Sequence, residues 1–379
     1  MKILIAASEP KKPFDEFVKY ALIRNHHEVY AAFSGSRGCL DEAVGTGRLK
    51  DAPWRVDLSA PDDKGNRAEA ELALIRERIK ATAGVKPFDV VLMQSLCEDT
   101  SKIAAAYAGS DAHFLYTLFE KDFSPVQPLN MYAKICLSKA RFIVVSQDEI
   151  GQRLIKQAGS AYANKVVRWS LGLSGLEEID SLRKQASKTE CRRLFSEDVS
   201  HMLISVGYGA TPEQQQLPVI KALHRIPPEI GGKLTVIFEA PCYDDAQREY
   251  VKELEGALEG AVFEYHIADA PLSRENKAAL RCAADLFIHS CEQGGITDYL
   301  QEYLYTESCA VMVGKWGNYG ELESIGAEFY YYPDQRAVTA AVCEVFKNRS
   351  HAYNSNKSRI RRFSSWDAVS PIWESLMRL

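Results

Sequence analysis

No stretch of this 379-residue chain approaches the roughly 18 consecutive apolar residues that a membrane-spanning helix needs. An excess of basic charge is missing too. The 46 Lys and Arg face 51 Asp and Glu, a net charge of −5, so the basic footprint of a nucleic-acid binder is absent. Cysteine patterning is also missing. The nine cysteines (39, 97, 136, 191, 242, 282, 291, 309 and 343) include no Cys-x-x-Cys pair. That argues against a zinc ribbon or a disulfide framework and for reduced thiols in a cytoplasmic protein. The eight histidines form no metal constellation, and no Ser-His-Asp or Cys-His order stands out. The apolar run Ile3 to Ala7 is too short for a signal-peptide core and reads as a first strand. With 46% hydrophobic and 26% charged residues, the composition is that of a globular protein. At roughly 150 residues per domain, two domains are expected.

What is present is an alternation of short apolar runs with amphipathic ones, the pattern of parallel sheets layered with helices. Lys2–Ala7, Glu28–Phe33, Phe88–Met93, Phe114–Leu118, Arg141–Ser146 and Lys165–Trp169 read as strands of a first half. Helices are expected over Phe14–Asn25, Ala68–Ala83, Asp99–Gly109 and Gln147–Ala158. The polar stretch from Leu171 to Ser200 reads as a connector. Beyond it the pattern restarts, with strands at Met202–Val206, Lys233–Glu239, Ala261–Tyr265, Asp285–His289, Ala310–Val313 and Glu328–Tyr332. Helices are expected over Pro212–Arg225, Asp244–Leu258, Arg274–Ala283, Asp298–Glu307, Val338–Lys347 and Ser365–Leu379. The expected domains are 1–175, a connector over 176–200, 201–350, and a terminal helical segment over 351–379. Ligands of doubly wound sheets bind beyond the carboxyl ends of the strands, so the loops after Ala7, Val206, Glu239, His289 and Val313 should carry the chemistry.

Several segments resemble the GT-B-fold glycosyltransferases, specifically the large retaining group called family four. Ala283 to Ser290 is similar to that group's strand ending in Pro-Ser. Leu300 to Val311 is similar to its Glu-Ala helix and following strand, and Gly317-Asn318-Tyr319-Gly320-Glu321 to its Gly-Gly-x-x-Glu loop. Arg141 to Ser146 carries a fainter echo, and Phe363-Ser364-Ser365-Trp366 looks like the start of the group's C-terminal helix, which implies that 351–379 crosses back to the first domain. The resemblance implies two Rossmann-like doubly wound domains facing across a cleft. It implies sugar transfer from a nucleotide-diphosphate sugar to a glycan, glycolipid or glycoprotein acceptor. Anomeric configuration would be retained without metal or other cofactor, the leaving phosphate helping to take the acceptor proton.

The resemblance also nominates residues. Glu302 matches the group's ribose-binding glutamate. Its partner glutamate normally lies eight positions earlier, which here is Gly294; Glu292 stands ten earlier, so Glu292 and Gly294 share the catalytic nomination. Gly207, Gly294, Gly295, Ile296 and Thr297 would bring backbone N–H groups to the diphosphate at a helix start. The same residues also suit an ordinary glycine turn and cap, with Thr297 or Asp298 capping and Asp298–Gln301 at capping-box spacing. His289, at a strand end, is a candidate contact. The group's donor-binding Arg and Lys are replaced by Tyr208 and Gln214, and its second glycine loop by Glu239-Ala240-Pro241. Lys11 and Lys12, after the first strand, could supply the missing charge. The run Lys357, Arg359, Arg361 and Arg362 could face anionic lipid and give weak peripheral contact at the inner membrane face. Two alternatives stay open: a degenerate GT-B protein acting as a non-catalytic glycan-binding or partner-stabilising subunit, and a sugar-phosphate enzyme on the same architecture.

Overall fold

The computed structural model describes residues 1–7, 16–33, 53–55, 67–94, 97–118, 129–145, 148–169, 171–292, 295–334, 336–348 and 356–379. The chain divides into two units. One is Met1–Gly172 with Trp366–Leu379, the other Leu173–Ser365.

Seven strands build the sheet of the first unit: β1 Lys2–Ala7, β2 Glu28–Phe33, β3 Pro53–Arg55, β4 Val90–Gln94, β5 His113–Leu118, β6 Ala140–Val145 and β7 Val166–Arg168. All run parallel, in the order β3-β2-β1-β4-β5-β6-β7. β1 and β4 are buried along their whole length, since a parallel sheet is covered on both faces. Alternate residues serve different cores. Leu4, Ala6, Val91 and Met93 pack with Ile75 and Ile79 of the Arg67–Ala83 helix. Ile3, Ile5 and Leu92 pack on the opposite face with Phe17, Trp366 and Trp373. The Trp366–Arg378 helix therefore belongs to this unit, with Trp373 edge-on to Phe17 at 4.8 Å and Trp366 stacked on Tyr20 at 5.6 Å. The helix expected from Phe14 is seen as a short π-turn, Val18–Ile23, that buries Val18, Ala21 and Leu22. Lys2 is buried, and its ammonium donates to the carbonyls of Ala83 at 2.5 Å and Lys86 at 2.7 Å, so the charge is not left unsolvated.

The second unit holds β8 Met202–Val206, β9 Leu234–Glu239, β10 Glu264–Ala268, β11 Leu286–His289, β12 Ala310–Gly314 and β13 Tyr330–Tyr332. These are parallel in the order β10-β9-β8-β11-β12-β13. The chain starts in the middle at β8, builds outward to β10, and returns to the other side of β8 as β11. The strand order reverses between β8 and β11, which is where ligands of such sheets bind.

The structure departs from the sequence expectations at several points. Residues 176–200 are not a bare connector. The helices Gly175–Arg183 and Lys188–Arg192 occupy much of them, and they bury Leu176, Ile179 and Cys191 in the same core as Ala278 and Cys282. Their few apolar residues are masked by charge in the sequence but sit on one face. The expected Pro212–Arg225 helix is a 3₁₀ turn, Pro212–Gln214, followed by a helix at Gln216–Leu223, with left-handed Gln215 between them. Pro218 lacks an N–H and is tolerated only in a first helical turn, which sets the start at Gln216. β10 begins three residues later than expected, where Glu264 pairs with Thr235 of β9. Ahead of the expected terminal helix, which runs Trp366–Arg378 in the first unit, stands a further one, Asn356–Ser364 in the second.

Candidate functional site

The carboxyl ends of β8 and β11 are neighbours, Val206 lying in register with Ile288. Gly207 follows β8 with a φ of +70°, and its N–H donates to the Ile288 carbonyl at 3.3 Å. A Cβ at 207 would stand 2.5 Å from Nε2 of Gln216. That buried amide bridges the Val206 and Glu239 carbonyls at 3.4 and 3.2 Å. Both the backbone conformation and the available space therefore require glycine here.

The loops beyond the two strands are laced together. The Tyr208 N–H donates to Oε1 of Gln214 at 3.2 Å, and the Ser290 hydroxyl donates to the Gln214 carbonyl at 2.5 Å. The Glu292 N–H donates to the Glu213 carbonyl at 2.7 Å. The Glu292 carboxylate is exposed and reaches Nε2 of Gln215 at 3.5 Å. The Tyr208 ring stacks on His289 (5.5 Å between centroids) and on Tyr299 (5.0 Å). His289 is fully buried, with Nδ1 3.0 Å from the Tyr319 hydroxyl and Nε2 without a partner among the described residues. Burial pushes its pKa down to about 4, so the ring is neutral at pH 7. Burial foremost raises the Tyr208 and Tyr319 hydroxyls above their ordinary range, so both stay protonated. The positions at which the resembling family carries Arg and Lys thus hold a stacked ring and an amide committed to the loop backbone.

Gly295, Ile296 and Thr297 lead into the Asp298–Tyr305 helix. Thr297 is the N-cap, its Oγ1 accepting from the Leu300 N–H at 3.1 Å. The N-cap is Thr297 and not Asp298, and the Gln301 N–H donates to the Thr297 carbonyl at 3.1 Å. The Gln301 side-chain amide also donates to the Thr297 carbonyl, at 3.3 Å, and accepts from the Ser364 hydroxyl. A Cβ at Gly295 would meet nothing within 4 Å among the described residues. Gly294, Lys11 and Lys12 lie outside the described residues.

Glu302 lies on this helix, and its Oε2 accepts from Nε of Arg281 at 3.2 Å. Arg281 is not among the residues nominated from the sequence. Its guanidinium is fully enclosed, and Nη1 donates to Oε1 of Glu239 at 2.7 Å and to the Tyr303 hydroxyl at 3.2 Å. The Tyr303 hydroxyl donates to Ser205 at 2.7 Å. The Arg281 guanidinium also stacks on the Tyr299 and Tyr303 rings at 4.8 and 4.6 Å. Burial by itself would weaken the charge on Arg281, but Glu239 above all, with Tyr303 and Glu302, raises its pKa and keeps it cationic. Glu239 is the residue standing where the family has a glycine loop. The available signal was a single arginine inside the apolar run Ala278 to Ala284, together with a glutamate ending a fully buried strand.

The basic run near the end of the chain is largely paired. Lys357 and Arg361 reach Asp180 at 2.8 and 3.5 Å, and Arg359 reaches Glu328 at 3.1 Å. Of the three tyrosines at β13, Tyr330 and Tyr331 are 42% and 40% exposed, while Tyr332 is buried. Among the described residues no cluster of three or more His, Cys, Asp or Glu is arranged to hold a metal ion. No helix among them is long and apolar enough to cross a membrane.

No protein-family model and no curated protein sequence matches the chain. Solved structures do match it. A glycosyltransferase from Rickettsia africae aligns over 100% of this chain and 97% of its own, with a TM-score of 0.71 at 13% identity. Anabaena HepE, solved in complex with UDP and glucose, aligns over the whole of both chains with a TM-score of 0.65 at 16% identity. Sucrose-phosphate synthase from Thermosynechococcus elongatus aligns over 100% of this chain and 98% of its own, with a TM-score of 0.65 at 11% identity. The fold of this chain, two Rossmann-like units of parallel sheet, is that of the GT-B glycosyltransferases.

Proposed function

We propose that this protein is a glycosyltransferase that moves a sugar from a nucleotide-diphosphate sugar to a hydroxyl of a glycan, glycolipid or protein-linked glycan. The observation that carries the reading is the setting of Glu302. Its carboxylate stands on the Asp298–Tyr305 helix, whose Tyr303 bonds Ser205 of β8 and stacks on Phe287 of β11, with one oxygen held by Arg281 and the other accepting no hydrogen bond among the described residues. A carboxylate so placed suits the vicinal diol of a ribose, which needs an acceptor and not a cation. The N–H groups at Gly295 to Thr297 and the positive end of that helix suit the diphosphate. Gly294, Lys11 and Lys12 belong to the same proposal as further diphosphate contacts, and Glu292 as the acidic partner near the reacting sugar. His289, neutral beneath Tyr208, offers Nε2 as a polar contact without adding charge.

In this reading the chain binds and orients the donor, its helix-start N–H groups stabilise the leaving diphosphate, and the acceptor proton passes to the leaving phosphate. The sugar keeps its anomeric configuration, and no metal takes part. HepE was crystallised with UDP-glucose, which makes that donor the first to test. Binding at a hundredfold excess over Kd stabilises a protein by roughly 2.7 kcal/mol, so the matching nucleotide sugar raises the melting temperature. The same sugar, with an acceptor, releases nucleoside diphosphate at a rate that EDTA leaves unchanged. A metal requirement overturns the cofactor-free part of the reading.

The commitment of Gln214 to the Tyr208 backbone, at a position where the family binds phosphate, favours a second reading. In it the protein keeps the fold but serves as a non-catalytic glycan-binding or partner-stabilising subunit. Absence of both stabilisation and turnover across UDP-, ADP- and GDP-sugars selects this second reading and discards the first.

A further inference from the structure

Glu302 is confined from two sides within the second unit. On one side Nε of Arg281 holds Oε2 at 3.2 Å, while Nη1 of the same arginine is tied to Glu239. On the other side stands Gly175, the first residue of the Gly175–Arg183 helix. A Cβ built on Gly175 would lie 2.0 Å from Oε1 of Glu302 and 2.7 Å from its Cδ. Nothing in the backbone asks for glycine there. Gly175 is not among the glycines with positive φ, and alanine is the better helix former. The glycine makes room for the carboxylate. The positive end of the Gly175–Arg183 helix also favours a negative charge at that point.

We propose that Gly175 and Arg281 are positioning residues that hold the Glu302 carboxylate with Oε1 free to read the 2′- and 3′-hydroxyls of a ribonucleoside diphosphate. This rests on the assignment of Glu302 to the donor ribose made above. Two features support it. The Glu302 side chain keeps 15% of its exposure, so a ligand can reach it, while Arg281 behind it keeps none. One guanidinium also serves two carboxylates, Glu239 and Glu302, so the cluster keeps excess negative charge. Such a cluster accepts hydrogen bonds from hydroxyls and repels phosphate, which fixes the orientation of the nucleotide as well as its sugar.

The Gly175→Ala variant tests this cleanly. The clashing atoms, Oε1 and Cδ, are the carboxylate end of the Glu302 side chain and not backbone, and alanine suits the helix, so the fold is kept while the carboxylate is displaced. Calorimetry with UDP, ADP and GDP first identifies the diphosphate that binds the wild-type protein, and its 2′,3′-dideoxy form, which lacks both hydroxyls, is then compared. Losing a hydrogen bond to a charged group weakens binding roughly 10- to 100-fold, which is the ribo-over-deoxy preference expected of the wild type. In Gly175→Ala that preference falls below about threefold, with dideoxynucleotide affinity little changed. Arg281→Lys, which keeps the charge but loses the two-sided grip, gives the same loss of preference. Retention of the full preference in Gly175→Ala overturns the proposal, as does an equal loss of affinity for both nucleotides. A wild type that binds ribo- and deoxy-forms alike overturns it while leaving the glycosyltransferase reading in place. A wild type that binds no nucleoside diphosphate overturns both.

Discussion

The Arg281 guanidinium donates from Nη1 to Oε1 of Glu239 at 2.7 Å, with both side chains withdrawn from solvent. Attraction within a buried pair roughly balances the cost of desolvating it, but removing one member leaves an uncompensated charge. Arg281→Ala should therefore destabilise the protein by about 3–5 kcal/mol, read from urea unfolding. The double variant Arg281→Met with Glu239→Gln should recover at least half of that loss. If the single variant is near wild type, the ion pair is not the keystone of this core.

Glycines 207 and 256 should respond in opposite directions to alanine. Gly207 combines a φ of +70° with a Cβ position 2.5 Å from the Gln216 amide. Gly207→Ala should cost about 1–3 kcal/mol. Gly256 lies in the exposed part of the Asp245–Leu258 helix, and a Cβ there meets nothing within 4 Å. Gly256→Ala should stabilise by about 0.5–1 kcal/mol. Melting curves of the two variants, one below and one above wild type, check both statements.

His289 should make stability depend on pH over a defined window. Burial lowers its folded pKa to about 4, whereas the unfolded histidine titrates near 6.5. Between these values the unfolded chain binds the proton and the folded chain does not, so stability falls as pH falls. The loss from pH 6.5 to 4 is at most about 3 kcal/mol. A His289→Phe variant, which keeps a ring against Tyr208, should lack this component. Parallel slopes for the two proteins between pH 7 and pH 4.5 would remove His289 as its source.

Thr297 should matter to the helix that carries Glu302. Its Oγ1 caps the Leu300 N–H, and Thr297→Ala should cost about 1 kcal/mol. Thr297→Ser keeps the oxygen and should cost little. Equal stability of both variants would assign the cap elsewhere.

The strands were readable because each is a short apolar run bounded by turn residues, as in Met202 to Val206 and Ala310 to Gly314. Such runs fit only a sheet covered on both faces, so two doubly wound halves followed from periodicity alone. Gly207, Thr297 and Glu302 could be nominated because each lies within a few residues of its own strand or helix end. The capping choice was less legible. Thr297 and Asp298 are both good cap residues, and only the packing of Gln301 against Ser364 distinguishes them.

The Arg281 cluster lay beyond any local pattern. Its members Ser205, Glu239, Arg281 and Tyr303 come from separate strands and helices, and Gly175 meets Glu302 from a stretch that reads as a connector. Hydrophobic spacing reports which face of an element is buried, because that depends on neighbours one turn or one pleat away. Which charges meet inside the buried layer depends on strand order and on helices closing over the sheet. The segments were therefore written in local spacing, whereas the company kept by Glu302 was settled only when β9, β11 and their helices came together around one guanidinium.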